Sequence, residues 1–306
     1  MAIGELAYVA LVSREPAAAC EVFGRHLGLP RNDLAYAGST LPAFSIGRAA
    51  LVVCPPEHAL VEGDANPGVH HIALAVADLR SAVAQLKDAG IGASAHGAGL
   101  AVRAMCRIDR AATVGVRTVL TEPLSLAPHA GGAIERIDHI GVASTDVGED
   151  ERVFSRKLEF EVESRQTDME VVMAVESFTS DKYGVIYHNR KPEPVGGLRV
   201  CFITVGDCEL EFLANFNPQQ GAEVRHGEPG TTRQDQGAIT RFVQSRGRGL
   251  HHIALKSPDI NATLAQMARA GLPMIDQVGR PGSRRALIGF PHPKALGGVL
   301  MHIVQR

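Results

Sequence analysis

Residues 68–91 and 249–272 are two copies of one segment, GVHHIALAVADLRSAVAQLKDAGI and GLHHIALKSPDINATLAQMARAGL. They align without a gap, with 11 identities in 24 positions. An internal repeat of this kind restricts the chain to architectures built by pairing or stacking one supersecondary unit. A weaker third copy begins at Ile137 (IDHIGVASTDVGEDERVFSRKLEFE) and a fourth near Leu6 (LAYVALVSREPAAACEVFGRHLGLP). Each copy opens on a short apolar run with the character of a strand. An Asp, Ser or Thr follows, suited to accept from the free N–H groups that open a helix. An amphipathic stretch comes next and closes on a small or turn-forming residue.

Further strand-like runs complete each unit. The first unit adds AFSIG and AALVVCP, the second VRAMCRI and VRTVLTEP. The third adds GVIYH, LRVCFITVG and CELEFLANF, and the fourth RRALIGF and GVLMHIVQ. Gly, Pro, Asn and Asp fill the gaps, as turns require. The predicted unit is therefore strand, helix, then about three strands. Four units make two pairs, residues 1–126 and 134–306, separated by the small, uncharged SLAPHAGGA. A chain of 306 residues has the ordinary length for two domains. The polar stretch from Asn217 to about Gln236 reads as a surface excursion. GAITRFVQSR after it, with Ile239, Phe242 and Val243 at helical spacing, reads as a short helix.

Composition excludes several classes of function. The formal net charge is −2 and no long basic run is present, which leaves no electrostatic footprint for nucleic acid or for an anionic membrane surface. No run approaches the roughly 20 apolar residues of a membrane helix. The opening MAIGELAYVALVSREP lacks a basic n-region and ends in charges, so it reads as a strand and not as a signal peptide. Cys20, Cys54, Cys106, Cys201 and Cys208 are scattered and form no CxxC pair, the pattern of free thiols in a cytoplasmic protein.

Polar residues inside apolar strands point to a metal. Strand side chains alternate between two faces. His139 and Gly141 therefore share one face, as do His252 with Ala254, and Glu211 with Glu209 and Leu213. His302 stands between Met301 and Ile303. Imidazole and carboxylate are the donors that borderline divalent metals take, and a buried carboxylate is costly unless paired or metal-bound. The repeat sets His139 against His252 on first strands and Glu211 against His302 on last strands. Pairing the two units brings the four together. In the N-terminal pair, Tyr8 stands where His139 would be, and neither last strand carries a carboxylate at the ligand position. His71 is accordingly expected to be structural and that pair metal-free. His58, His129, His188, His226 and His292 read as ordinary residues of loops and strand ends, with His188 the one expected nearest a pocket.

These features resemble the vicinal oxygen chelate superfamily, which includes glyoxalase I, methylmalonyl-CoA epimerase, extradiol dioxygenases and 4-hydroxyphenylpyruvate dioxygenase. RFVQSRGRGLHHIAL and FPHPKALGGVLMHIVQR are similar to segments of the epimerase, while the four-unit layout is similar to that of the ring-cleaving dioxygenases. The resemblance implies an α+β fold of four βαβββ modules, paired into two domains, each a curved mixed sheet around a cavity. It also implies one divalent metal (Zn, Co, Ni, Mn or Fe(II)) at His139, Glu211, His252 and His302. The last of these departs from the family, where Glu is usual. The expected activity is that of an isomerase, epimerase or lyase acting through an enediolate of a small oxygen-chelating substrate. A non-haem Fe(II) dioxygenase using His139, His252 and Glu211 is the alternative, and a non-catalytic resistance-type binding protein the third. A cytoplasmic protein, without nucleic-acid or membrane partners and able to form a homo-oligomer, completes the expectation. No residue is assigned as the general base.

Overall fold

The computed structural model describes residues 3–61, 66–172, 175–189, 193–215 and 237–306. The excursion expected between Asn217 and Gln236, with His226 in it, lies outside these residues, as does the side chain of His188.

The first sheet contains β1 (Ile3–Val12), β2 (Arg31–Tyr36), β3 (Ser39–Ile46), β4 (Ala49–Cys54), β5 (Gly68–Val76), β6 (Gly97–Ala98), β7 (Ala104–Arg107) and β8 (Thr118–Thr121). The second contains β9 (Arg136–Ala143), β10 (Val162–Val172), β13 (Glu193–Val205), β14 (Cys208–Asn215), β15 (Gly249–Lys256), β16 (Arg280–Pro281), β17 (Leu287–Gly289) and β18 (Met301–Gln305). Between β10 and β13, strands β11 (Val175–Ser180) and β12 (Gly184–Asn189) form a separate hairpin.

The orders are β2-β3-β4-β1-β5-β8-β7-β6 and β10-β13-β14-β9-β15-β18-β17-β16. Each sheet thus joins two βαβββ modules through their first strands, β1 with β5 and β9 with β15, both antiparallel. Each last strand lies parallel to its module's first strand. The crossovers carry α1 (Pro16–Glu21), α2 (Leu79–Asp88), α3 (Val147–Glu151) and α5 (Ile260–Arg269), and α4 (Ala238–Arg246) leads into β15.

The expected cap residues open three of the four crossover helices. Asp78, Asp146 and Asp259 accept from backbone N–H groups of the first turn. The exception is α1, where Glu15 makes no side-chain cap and Pro16 starts the helix; Pro has no N–H to satisfy there. Instead Ser13 Oγ accepts from Glu15 N.

Alternation along the central strands separates two kinds of face. Val9, Leu11, Ile72 and Leu74 of the first sheet share one apolar core with Ile140, Val142, Ile253 and Leu255 of the second, together with Phe23, Leu86, Phe154 and Leu264 of the crossover segments. Hydrogen bonds tie the halves, from Arg14 N to Gly297 O and from the Arg246 side chain to Pro67 O. The connection between the sheets is pinned too: Ala127 N donates to Asn32 Oδ1, and Gly47 N to His129 Nδ1. All five cysteines are free. Among the described residues no helix is long and apolar enough to cross a membrane.

The concave faces differ. On that of the first sheet Tyr8, Leu34, Leu41, Leu60, Leu100 and Met105 pack together, and a cleft of about 430 Å³ opens beside Ala7, Ala75 and Leu124. That of the second encloses a cavity of about 380 Å³.

Candidate metal centre

Strand order sets the geometry of the site. β14, β9, β15 and β18 are consecutive neighbours, and each contributes one of the four expected donors. Glu211 and His252 pair with Gly141 from either side. His139 and His302 likewise flank Ala254. The donors therefore occupy alternate points of a grid whose other points are the small residues Gly141 and Ala254. Gly141 is obligatory there: a Cβ would fall 2.0 Å from His252 Cε1.

All four donors are buried. His139, His252 and His302 offer one nitrogen each within 4.8 Å of one another. Glu211 Oε2 lies 3.4 Å from His139 Nε2 and 3.3 Å from His252 Nε2. Burial alone would raise the pKa of Glu211, but the two adjacent imidazoles reverse the shift and hold its carboxylate ionised.

The groups behind the imidazoles come from a feature that alternation does not foresee. In the β9–β15 ladder the register skips Asp138 on one strand and His251 on the other. Each is a β-bulge, which re-aims a side chain. As a result Asp138 and His251 line the cavity beside the donors that follow them. Asp138 Oδ1 is 2.8 Å from His139 Nδ1 and His251 Nδ1 is 2.9 Å from His252 Nδ1. With Nδ1 engaged, Nε2 of each ring is left for the site. Burial opposes the Asp138 charge, but His139 and Arg306 outweigh it and keep the carboxyl well below its usual range. Burial pushes His251 down to about 3, so it is a neutral partner.

His302 tests whether these residues fit a metal. Among the described residues its Nδ1 is buried without a hydrogen-bond partner, a costly state for a polar atom. Burial, reinforced by the neighbouring imidazoles and by Arg280, holds the ring well below its usual pKa. Three imidazoles, one of them with an unmatched nitrogen, face an ionised carboxylate in a buried pocket. A divalent cation among them answers every donor, so the set fits.

The cavity continues between Leu198, Leu213, Ile239, Ile288 and Phe290. At its polar side Arg284 and Arg306 both bind Glu209, and Arg306 also binds Asp138. Arg284 and Arg285 have φ of +53° and +59°, a conformation rare for non-glycine residues. That turn sets the Arg284 guanidinium 3.5 Å from the Phe202 ring centre. Ala101 and Val102 repeat the turn in the second module, at +54° and +59°. Asp138, His251, Arg280, Arg284 and Arg306 were not singled out from sequence. The bulge residues carry no periodic signal, and nothing in the local pattern marks the arginines.

The first sheet holds Tyr8, Val52, His71 and Val119 at the grid positions of His139, Glu211, His252 and His302. Tyr8 OH lies 3.3 Å from His71 Nε2, and His70 Nδ1 2.7 Å from His71 Nδ1. One imidazole, a phenol and two valines make a poor donor set for a divalent metal.

A family model described as the glyoxalase/bleomycin resistance protein/dioxygenase superfamily matches residues 138–290, half of the chain. Mouse mitochondrial methylmalonyl-CoA epimerase is 24% identical over 130 residues, 42% of this chain and 64% of the epimerase. The chain thus spans less than two thirds of that relative's length. The uncharacterized protein YqjC of Bacillus subtilis is 23% identical over 172 residues, 56% of this chain and 93% of its own. Among solved structures, a triple variant of 4-hydroxymandelate synthase from Streptomyces coelicolor has a TM-score of 0.60 at 17% identity. It covers 100% of this chain and 93% of its own, a likeness of fold.

Proposed function

Because the chain belongs to the glyoxalase/bleomycin resistance protein/dioxygenase superfamily, we propose that it is a metal-dependent isomerase, epimerase or lyase. Its substrate would be a small molecule that chelates through two neighbouring oxygens and reacts through an enediolate. The observation that carries this reading is the convergence of His139, Glu211, His252 and His302 from four adjacent strands onto one wall of the cavity.

A divalent metal held there would act as a Lewis acid on both substrate oxygens and so acidify the neighbouring C–H bond. The chain's own groups do the rest. Asp138 and His251 fix the rings of His139 and His252. Leu198, Ile239, Ile288 and Phe290 surround the reacting atoms and exclude water. Four protein donors would still leave room for a bidentate substrate on the ion. A dioxygenase must also seat oxygen, which three protein donors allow and four do not.

The test is metal analysis of protein purified without a metal-binding tag, followed by two assays. Solvent-deuterium exchange into methylmalonyl-CoA and into α-hydroxyketones, with no oxygen consumed, is the expected result. Oxygen uptake with catechols on the Fe(II)-loaded protein would replace this reading by the dioxygenase. Absence of any bound metal would leave the binding-protein reading.

A further inference from the structure

Abstraction of a proton needs an acceptor, and a group outside the four donors can take it without giving up the ion. The other charged groups around the cavity are engaged. Asp138 is held by His139 and Arg306, Glu163 and Glu209 by Arg284, and Asp276 by Arg280. His251 is committed to His252.

Asp168 differs. On β10 it pairs across the ladder with Leu198 of β13, and Leu198 lines the cavity with Leu213 and Glu211. Directly paired residues of neighbouring strands stand on one face, so the Asp168 carboxylate belongs to the cavity side of the sheet. Gln166, two residues back on the same strand, pairs with Val200 and shares that face. Asp168 is half-buried and forms no ion pair among the described residues. Its only hydrogen-bond partner there is the Gln166 amide, whose Nε2 is 3.3 Å from each oxygen. Burial, with the nearby negative charge of Glu211 adding to it, raises its pKa above the ordinary carboxylate value, the direction that suits a base working near neutral pH.

We propose that Asp168 is the proton-accepting carboxylate of this site, positioned by Gln166. The inference rests on the enediolate reading above. An O–H bond forms at Asp168 as the substrate C–H bond breaks, and the C–H electron pair passes into the enediolate. Return of the proton to the same or the adjacent carbon regenerates the carboxylate, so no redox partner is consumed.

Two chelators test this on the Co²⁺-loaded protein without turnover. Acetohydroxamic acid must lose a proton to chelate, whereas oxalate has none to lose at neutral pH. Asp168→Asn is expected to weaken acetohydroxamic acid about tenfold or more and to leave oxalate binding and cobalt content unchanged. Calorimetry in two buffers of different ionisation heat should show the wild type retaining the proton and Asp168→Asn releasing it. Asp168→Glu should restore part of the difference. Equal losses for both chelators, or no loss for either, would overturn the role of Asp168 alone. A wild type that binds cobalt but neither chelator would bring down the chelation reading, and this proposal with it.

Discussion

The imidazole of His252 occupies the space where a side chain on Gly141 would begin, with its Cε1 2.0 Å from the position of a Cβ there. Gly141→Ala should therefore displace the ring without unfolding the sheet, since Ala10 holds the same register position opposite His71 in the first sheet. Metal affinity is expected to fall on the order of 10- to 100-fold, as for other losses of ligand positioning. Metal analysis alongside circular dichroism checks it; unchanged affinity would mean that His252 is not a ligand.

One metal per chain is expected. His139→Ala and His252→Ala should each abolish tight binding, while His71→Ala should retain it, because Val52 and Val119 offer no donor beside His71. Two tightly held ions per chain, counted by mass spectrometry of the native protein, would contradict this.

His302→Ala separates a four-donor site from a three-donor one. Loss of this ring should weaken metal binding by roughly tenfold or more. Relative to a carboxylate at this position, imidazole leaves the site one unit more positive, which favours an anionic chelate. If the variant kept both metal and activity, the set would be His139, Glu211 and His252, and oxygen-uptake assays would become the decisive ones.

Away from the site, burial pushes the Asp150 carboxyl up to about 6, although Arg248 lies 2.5 Å away and pulls it down. A raised native pKa means that the folded state holds a proton the unfolded chain has released between about pH 4 and pH 6. The contribution of Asp150 to stability should therefore fall as pH rises through that window, by roughly 1–3 kcal/mol, and be level on either side. Urea unfolding of wild type and Asp150→Asn from pH 4 to pH 7 reads the difference, and parallel pH curves would refute it.

Much of the fold was legible because it is repeated. The HHIAL runs, the capping aspartates and the apolar last strands mark the modules, and the repeat together with strand parity set His139, Glu211, His252 and His302 at facing positions. What parity missed has physical causes. β2 and β10 carry polar residues on both faces over much of their length, so Arg31–Tyr36 and Val162–Val172 lacked an apolar signature. Arg284 reaches the site through a left-handed turn that nothing in RRALIGF announces. Strict alternation would turn Asp138 and His251 away from the face of His139 and His252, and it fails at both because each sits in an inserted position of its ladder.

Those two insertions have a mechanical consequence. Each imidazole and the group that holds its proton are separated by a single peptide bond, so the pair moves as one body. When β9 shears or breathes against β15, the distance from His139 to His252 changes. The orientation of His139 on Asp138, and of His252 on His251, travels with its own strand. A site assembled from four strands thereby keeps the aim of its donors even while the spacing between them adjusts to what it holds.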